Sequence, residues 1–179
     1  QVVLNGLANL GGRVAVKADG TDSVVDLSGL VSCPALGTMS AQNGGEIRVP
    51  QLTVASVGLS RDAASVLDLA ALKTLPGGSL TVAGVAVELP GLVEADGASF
   101  YVTGGGVLRL PGLVSYRMSG GDSFWQVSGA GSTLVLPGLT NVVAGGPNSW
   151  QYFHVEALEG GQVVLNGLAN LGGRVAVKA

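Results

Sequence analysis

Charge is scarce in this sequence. Only 12% of its 179 residues are Asp, Glu, Lys or Arg, about half of what an ordinary globular domain carries. The net charge of −3 offers no basic stripe for a nucleic-acid backbone or an anionic surface. Cysteine occurs once, as Cys33, which excludes an internal disulfide framework. Histidine also occurs once, as His154, so a zinc centre built from three or four His and Cys ligands has no material. Aromatic residues make up 4%, which leaves Val, Leu and Ala to build the core. No run of eighteen residues is free of polar or glycine interruptions, so no membrane-spanning helix is predicted. A helical i, i+3, i+4 stripe of useful length is missing as well. There is no initiator Met and no secretory leader, and any targeting segment is expected outside this stretch.

What the chain has instead is repetition. QVVLNGLANLGGRVAVKA fills residues 1–18 and returns letter for letter at 162–179, an offset of 161 residues. A shorter phrase recurs inside that period: apolar, variable, apolar, a Pro/Gly-type corner, then Leu. It reads VVLNGL at 2–7, VDLSGL at 25–30, IRVPQL at 47–52, LDLAAL at 67–72, VELPGL at 87–92, LRLPGL at 108–113, LVLPGL at 134–139 and VVLNGL again at 163–168. Its third positions are spaced by 23, 22, 20, 20, 21, 26 and 29 residues. The large period is therefore seven small ones.

A second apolar alternation follows in each unit, as RVAVKA at 13–18, SLTVAG at 79–84, SFYVTG at 99–104 and SFWQVSG at 123–129. Strict alternation is the period of a half-buried strand. Glycine breaks at Gly77-Gly78, Gly104-Gly105-Gly106 and Gly145-Gly146 supply turns that need positive φ. Two strands per unit cannot stand alone, but stacked units bury a continuous core. The reading is an all-β chain, a right-handed parallel β-helix (β-solenoid) of seven coils of 20–29 residues plus a partial eighth. Residues 1–161 form one seven-coil unit, and 162–179 begin the next identical unit. At a strand spacing of about 4.8 Å, seven coils advance the axis by about 34 Å. The first and third positions of the phrase face inward, so Leu4, Leu27, Val49, Leu69, Leu89, Leu110, Leu136 and Leu165 form one buried column.

The pattern resembles the stacked-coil repeat regions of bacterial surface, adhesin and autotransporter-type proteins. The phrase GL-x-x-L-GG-x-V-x-V at 6–16 is also similar to coils of receptor L-domain-like β-helices. These resemblances imply an extracellular or cell-surface location and a mechanical or adhesive role. They carry no catalytic motif onto any position here.

The middle position of the phrase faces outward and stacks Asp26, Arg48, Asp68, Glu88 and Arg109, where Arg48 is set beside Asp26 and Asp68, and Arg109 beside Glu88, as opposite charges. A register lock and solubility account for it better than a binding face does. Asp19 and Asp22 share a loop with Asp26 nearby. Calcium needs six or more oxygens, and Asp also favours turns on conformational grounds, so the turn role is preferred and no metal is assigned. His154, beside Glu156, lacks the nucleophile and orienting acid of a triad. Cys33, before Pro34, reads as core or corner packing. No cofactor is expected. The acids are too scattered for a polysaccharide-cleaving groove, so no enzyme is expected.

The aromatics all fall between Phe100 and Phe153. Counting from the leading serines puts Phe100, Phe124 and Trp150 inside. Counting back from Val102, Val127 and Val155 puts Phe100, Trp125 and Phe153 inside, and Phe124, Trp150, Tyr152 and His154 outside. The interaction surface expected from this group is Tyr101, Trp125, Trp150, Tyr152 and His154. Partners are expected to be further copies of the chain, joined head to tail by a covalent tandem array or by stacking, and a glycan or lateral fibre contact at the aromatic patch. The function expected is the shaft of an extracellular fibre, with a glycan- or surface-binding adhesin as the alternative.

Overall fold

A computed structural model describes residues 1–145, 148 and 150–179. Gly146, half of the predicted Gly145-Gly146 break, lies outside the described residues. The chain is all-β among those residues and winds into a parallel β-solenoid of about eight turns. The longest face is one eight-stranded parallel sheet. Its strands are Arg13–Asp19, Leu36–Gln42, Gly58–Asp62, Ser79–Ala83, Ser99–Thr103, Ser123–Ser128, Phe153–Leu158 and Val175–Lys178.

A second face carries the strands of the recurring phrase in two four-stranded sheets. One holds Val2–Val3, Val24–Asp26, Glu46–Arg48 and Val66–Leu67; the other holds Ala86–Glu88, Val107–Arg109, Thr133–Val135 and Gln162–Val164. A third, short face was not anticipated from two strands per coil. It pairs Ser32–Cys33 with Val54–Ala55, and stacks Ser115–Arg117, Asn141–Val143 and Asn170–Gly172. Single parallel bridges at Thr74 with Val54 and with Glu94 carry it between those blocks. Stretches of two or three residues are too short to show alternation, so this face left no periodic signal in the sequence.

The corner after each phrase is a hydrogen-bonded turn. Leu7, Leu30, Leu52, Leu72, Leu92, Leu113, Leu139 and Leu168 each donate the backbone N–H to the carbonyl three residues earlier, at 2.9–3.5 Å. Proline at the second turn position, as at Pro90, Pro111 and Pro137, presets φ for this bend. The turn brings the closing leucine back into the core, where Leu30, Leu52, Leu72, Leu92, Leu113 and Leu139 are fully buried.

The expected inward column is buried at Leu27, Val49, Leu69, Leu89, Leu110 and Leu136, and Leu165 is half-buried. Leu4 departs from it, with 51% exposure. Its coil has a neighbour on one side only, so its methyls lack the second layer that covers every interior leucine.

In the long sheet one inward column runs Val16, Met39, Leu59, Leu80, Phe100, Trp125, Val155 and Val177. A second inward column holds Arg61, in register between Ala41 and Val82. Its Nε is buried with no hydrogen-bond partner among the described residues. Arg61 also lines a shallow groove with Asp68, Leu69, Glu88 and Leu89. That groove lies where the second face breaks, between Val66–Leu67 and Ala86–Glu88. The guanidinium thus leaves the core at a gap in the wall.

Candidate functional site

The aromatic residues divide into an inner and an outer set. Phe100, Tyr116, Trp125 and Phe153 are buried and pack as one cluster. Trp125 lies 5.5 Å from Phe100, 4.9 Å from Tyr116 and 4.8 Å from Phe153, measured between ring centres, with edge-on geometry to the last two. Tyr116 and Phe153 are 5.0 Å apart. Such pairs add about 0.5–1.5 kcal/mol each beyond area burial. The Tyr116 hydroxyl donates to the Ala98 carbonyl at 3.1 Å, and burial pushes its phenol pKa well up. The Trp125 indole N–H has no acceptor among the described residues.

This corrects the expected interaction surface: Trp125 has no exposed area and belongs to the core. Of the two ways of counting the alternation, the one anchored on the following valines holds. The first misplaces Trp150, which is 71% exposed.

The outer set gathers where the coils are longest. Phe124 stacks on His154 with ring centres 4.4 Å apart and planes 10° off parallel. The long-sheet register sets these two residues side by side on adjacent strands. Tyr152 lies 6.3 Å from His154 and is 41% exposed; Tyr101, one strand away from Gln126, is half-buried. Asp122 ties the group together. One carboxylate oxygen accepts the Tyr152 backbone N–H at 2.9 Å, and the other lies 3.7 Å from His154 Nε2. Sequence reasoning missed Asp122. Its only signal was a single acid after the Gly120-Gly121 break. Behind this patch, Gln126 Nε2 donates to Glu156 at 2.7 Å. The patch offers flat rings and polar groups on a shallow surface.

The charged ladder is realised in part. Register places Asp26 beside Arg48 and Glu88 beside Arg109, and Glu88 and Arg109 are 3.6 Å apart. Arg48 instead meets Glu46 of its own strand, through two contacts of 2.8 and 3.0 Å. Asp26 and Asp68 turn back on the chain and accept the N–H two residues on, from Ser28 and Ala70 at 3.0 Å each. The local bond forms without ordering a long side chain, which is why it wins over the cross-strand partner. The Ser28 hydroxyl and N–H hold the Asp26 carboxyl below its usual range.

Asp19 is held by Lys17 Nζ at 2.6 Å and by Asn43 Nδ2 at 2.8 Å. Lys17 first, and then Asn43, lowers its pKa. Asp22 sits in a left-handed turn conformation, φ 65°. Among the described residues no three His, Cys, Asp or Glu side chains converge as a metal site. Cys33 is fully buried, and burial raises its thiol pKa.

The two ends of the solenoid are the remaining surfaces. At the leading end Val2, Val3 and Leu4 are each about half exposed. At the trailing end Val142, Phe153, Val163, Leu165, Leu171 and Val177 line an apolar hollow of about 270 Å³. The strands there are sheet edges, with one neighbour each. Compared with protein-family models, curated proteins and solved structures, the chain finds no match in any of the three.

Proposed function

We propose that this protein is structural, the shaft of an extracellular filament made by head-to-tail continuation of β-solenoid units. One observation carries the reading. The same eighteen residues build the outermost coil at both ends, and both end coils leave apolar core residues uncovered. Solenoids that stay monomeric close their ends with polar, atypical coils, because an open strand edge recruits further strands. Ends of matching shape form a contact that does not close on itself, and such contacts make filaments. The role is mechanical and non-catalytic, and an extracellular or surface location suits it.

The test is the mass of the intact polypeptide together with electron microscopy. A covalent array gives denatured chains far larger than 17.7 kDa, cut by partial proteolysis in steps of one unit. Stacked subunits give one small band on the gel and fibres in the microscope. A small monodisperse particle by light scattering, with no fibres, would rule out both.

A second reading rests on Tyr152, exposed beside Asp122 and His154, and on Trp150, exposed two residues before it. Exposed rings next to hydrogen-bonding groups suit sugar faces, so the patch is the glycan-binding surface of an adhesin. Trp150→Ala and Tyr152→Ala should then abolish binding on a glycan array. Unchanged binding removes this reading and leaves the first intact.

A further inference from the structure

The repeated segment stands in two environments, once with a coil behind it and once without. Residues 162–179 have the seventh coil behind them. The Gln162 and Asn170 N–H groups donate to Ser132 and Thr140 carbonyls at 3.0 Å each. The Gly172 and Arg174 carbonyls accept from Ala144 at 2.7 Å and Phe153 at 3.0 Å. Arg174 reaches two carbonyls of the long loop, Gln151 at 3.0 Å from Nε and Asn148 at 2.6 Å from Nη2. Lys178 stands in register with Glu156. Two glycines let the backbones approach. A Cβ on Gly167 would lie 2.8 Å from the Pro137 carbonyl, and one on Gly173 would collide with the Ala144 carbonyl.

Residues 1–18 carry the same letters facing solvent. A Cβ on Gly6 or Gly12 would meet nothing within 4 Å. The strands Val2–Val3 and Arg13–Asp19 are sheet edges on that side. These glycines, and the spacing of Arg13 and Lys17, fit a neighbour that the first coil does not have within this chain.

We propose that the first coil takes as its neighbour the seventh coil of a second unit. Gly6 then lies on the Pro137 corner and Gly12 on Ala144, Arg13 holds the Asn148 and Gln151 carbonyls, and Lys17 stands in register with Glu156. This rests on the filament reading and deepens it: residues 162–179 are the first coil of the following unit, and the joint is seventh coil to first. The other joint, eighth coil on first, would set Arg174 beside Arg13 and Lys178 beside Lys17 at one strand spacing, about 4.8 Å. Like charges directly opposite in a sheet are unfavourable.

Two chains decide between these joints. In one, residues 1–161 lead directly into a full chain; in the other, two full chains follow each other. The first should unfold in a single transition, with a midpoint above that of one unit. The second should unfold as two weakly coupled units. Glycine probes locate the contact. In the single full chain Gly6→Val should leave the midpoint unchanged, while Gly167→Val lowers it by about 5 °C. In the first two-unit chain Gly→Val at the internal copy of Gly6 should behave like Gly167→Val. Equal or better coupling in the second two-unit chain, or a silent glycine at the internal joint of the first, overturns the seventh-to-first joint and leaves the filament standing. Two independent units in both chains overturns the filament reading as well.

Discussion

The middle of the solenoid and its trailing half solve the same packing problem differently. Between Val49 and Leu110 the coils are 20–21 residues long, and most of the core is aliphatic: Leu59, Leu69, Leu72, Leu75, Leu80 and Val82. Beyond Leu110 the coils lengthen to 26 and 29 residues, and Tyr116, Trp125 and Phe153 fill the interior. The added residues form outward loops, with 119–122, Trp150 and Tyr152 exposed and Gln151 half-buried, and the inward positions of the strands beside them carry rings that pack closely. Phe100 marks the transition, flanked in register by Leu80 and Trp125. The aromatic concentration in one stretch of sequence therefore serves the core first, and surface chemistry only in the residues left over outside.

The largest expected effect tests that account directly. Trp125→Ala should cost about 4 kcal/mol in chemical denaturation, because the section cannot collapse around the gap. Trp125→Phe should cost much less, since it retains a ring and removes an indole N–H that has no acceptor among the described residues. If both variants cost the same, the ring is not what fills the section. In the narrow half, Leu59→Ala should cost about 3 kcal/mol by the same measurement. A loss equal to that of Trp125→Ala would erase the contrast. Tyr116→Phe should cost only about 1 kcal/mol, the net worth of one hydrogen bond to Ala98.

The corners sharpen the comparison through pH. In the narrow half, Asp62 accepts from the Ser65 hydroxyl at 2.6 Å and from the Asn43 and Ala64 N–H groups at 2.7 and 3.1 Å. The Ser65 hydroxyl first, and then the Asn43 N–H, hold its pKa below the usual Asp range. In the wide half the buried Ser132 hydroxyl accepts from Gly105 N–H at 2.9 Å, as Ser65 accepts from Gly44 at 3.1 Å, but among the described residues no carboxylate accepts from Ser132. A carboxyl with a depressed folded pKa adds stability above its unfolded value of about 3.9, and that stability is lost as pH falls through the folded value. Hydrogen exchange at residues 43–65 should therefore rise below pH of about 4, before exchange at residues 105–132. Simultaneous loss of protection in both halves would show that the Asp62 corner carries no separate weight. The smallest effect belongs to the surface: Arg109→Ala should shift stability by no more than about 0.5 kcal/mol, as its partner Glu88 is exposed.

The sequence by itself determined the architecture. Eight copies of one phrase, each with a corner and a closing leucine, allow one way to bury every apolar position, which is to stack coil on coil with parallel strands. The inward column from Leu27 to Leu136 was legible because a period of two leaves no choice of face once one position is buried. The tertiary structure decided what periodicity cannot carry. Tyr152–Phe153 and Phe124–Trp125 are adjacent aromatic pairs, and which ring enters the core depends on the strand's register with its neighbours. Trp125 went in for that reason, while Trp150 lies in the turn before the Phe153–Leu158 strand and stays outside. Arg61 occupies an inward position that its charge disguised, because its stem packs inside while its head leaves through a break between two sheets. Asp26, Arg48 and Asp68 alternate in sign along the outer face, yet local turns and a same-strand partner claim them. Those bonds reach two residues along the chain, and the ladder's would have reached across a strand gap. The identical letters at the two ends made repetition visible, but only the seventh coil, seated behind one copy, shows what Gly167, Gly173, Arg174 and Lys178 meet.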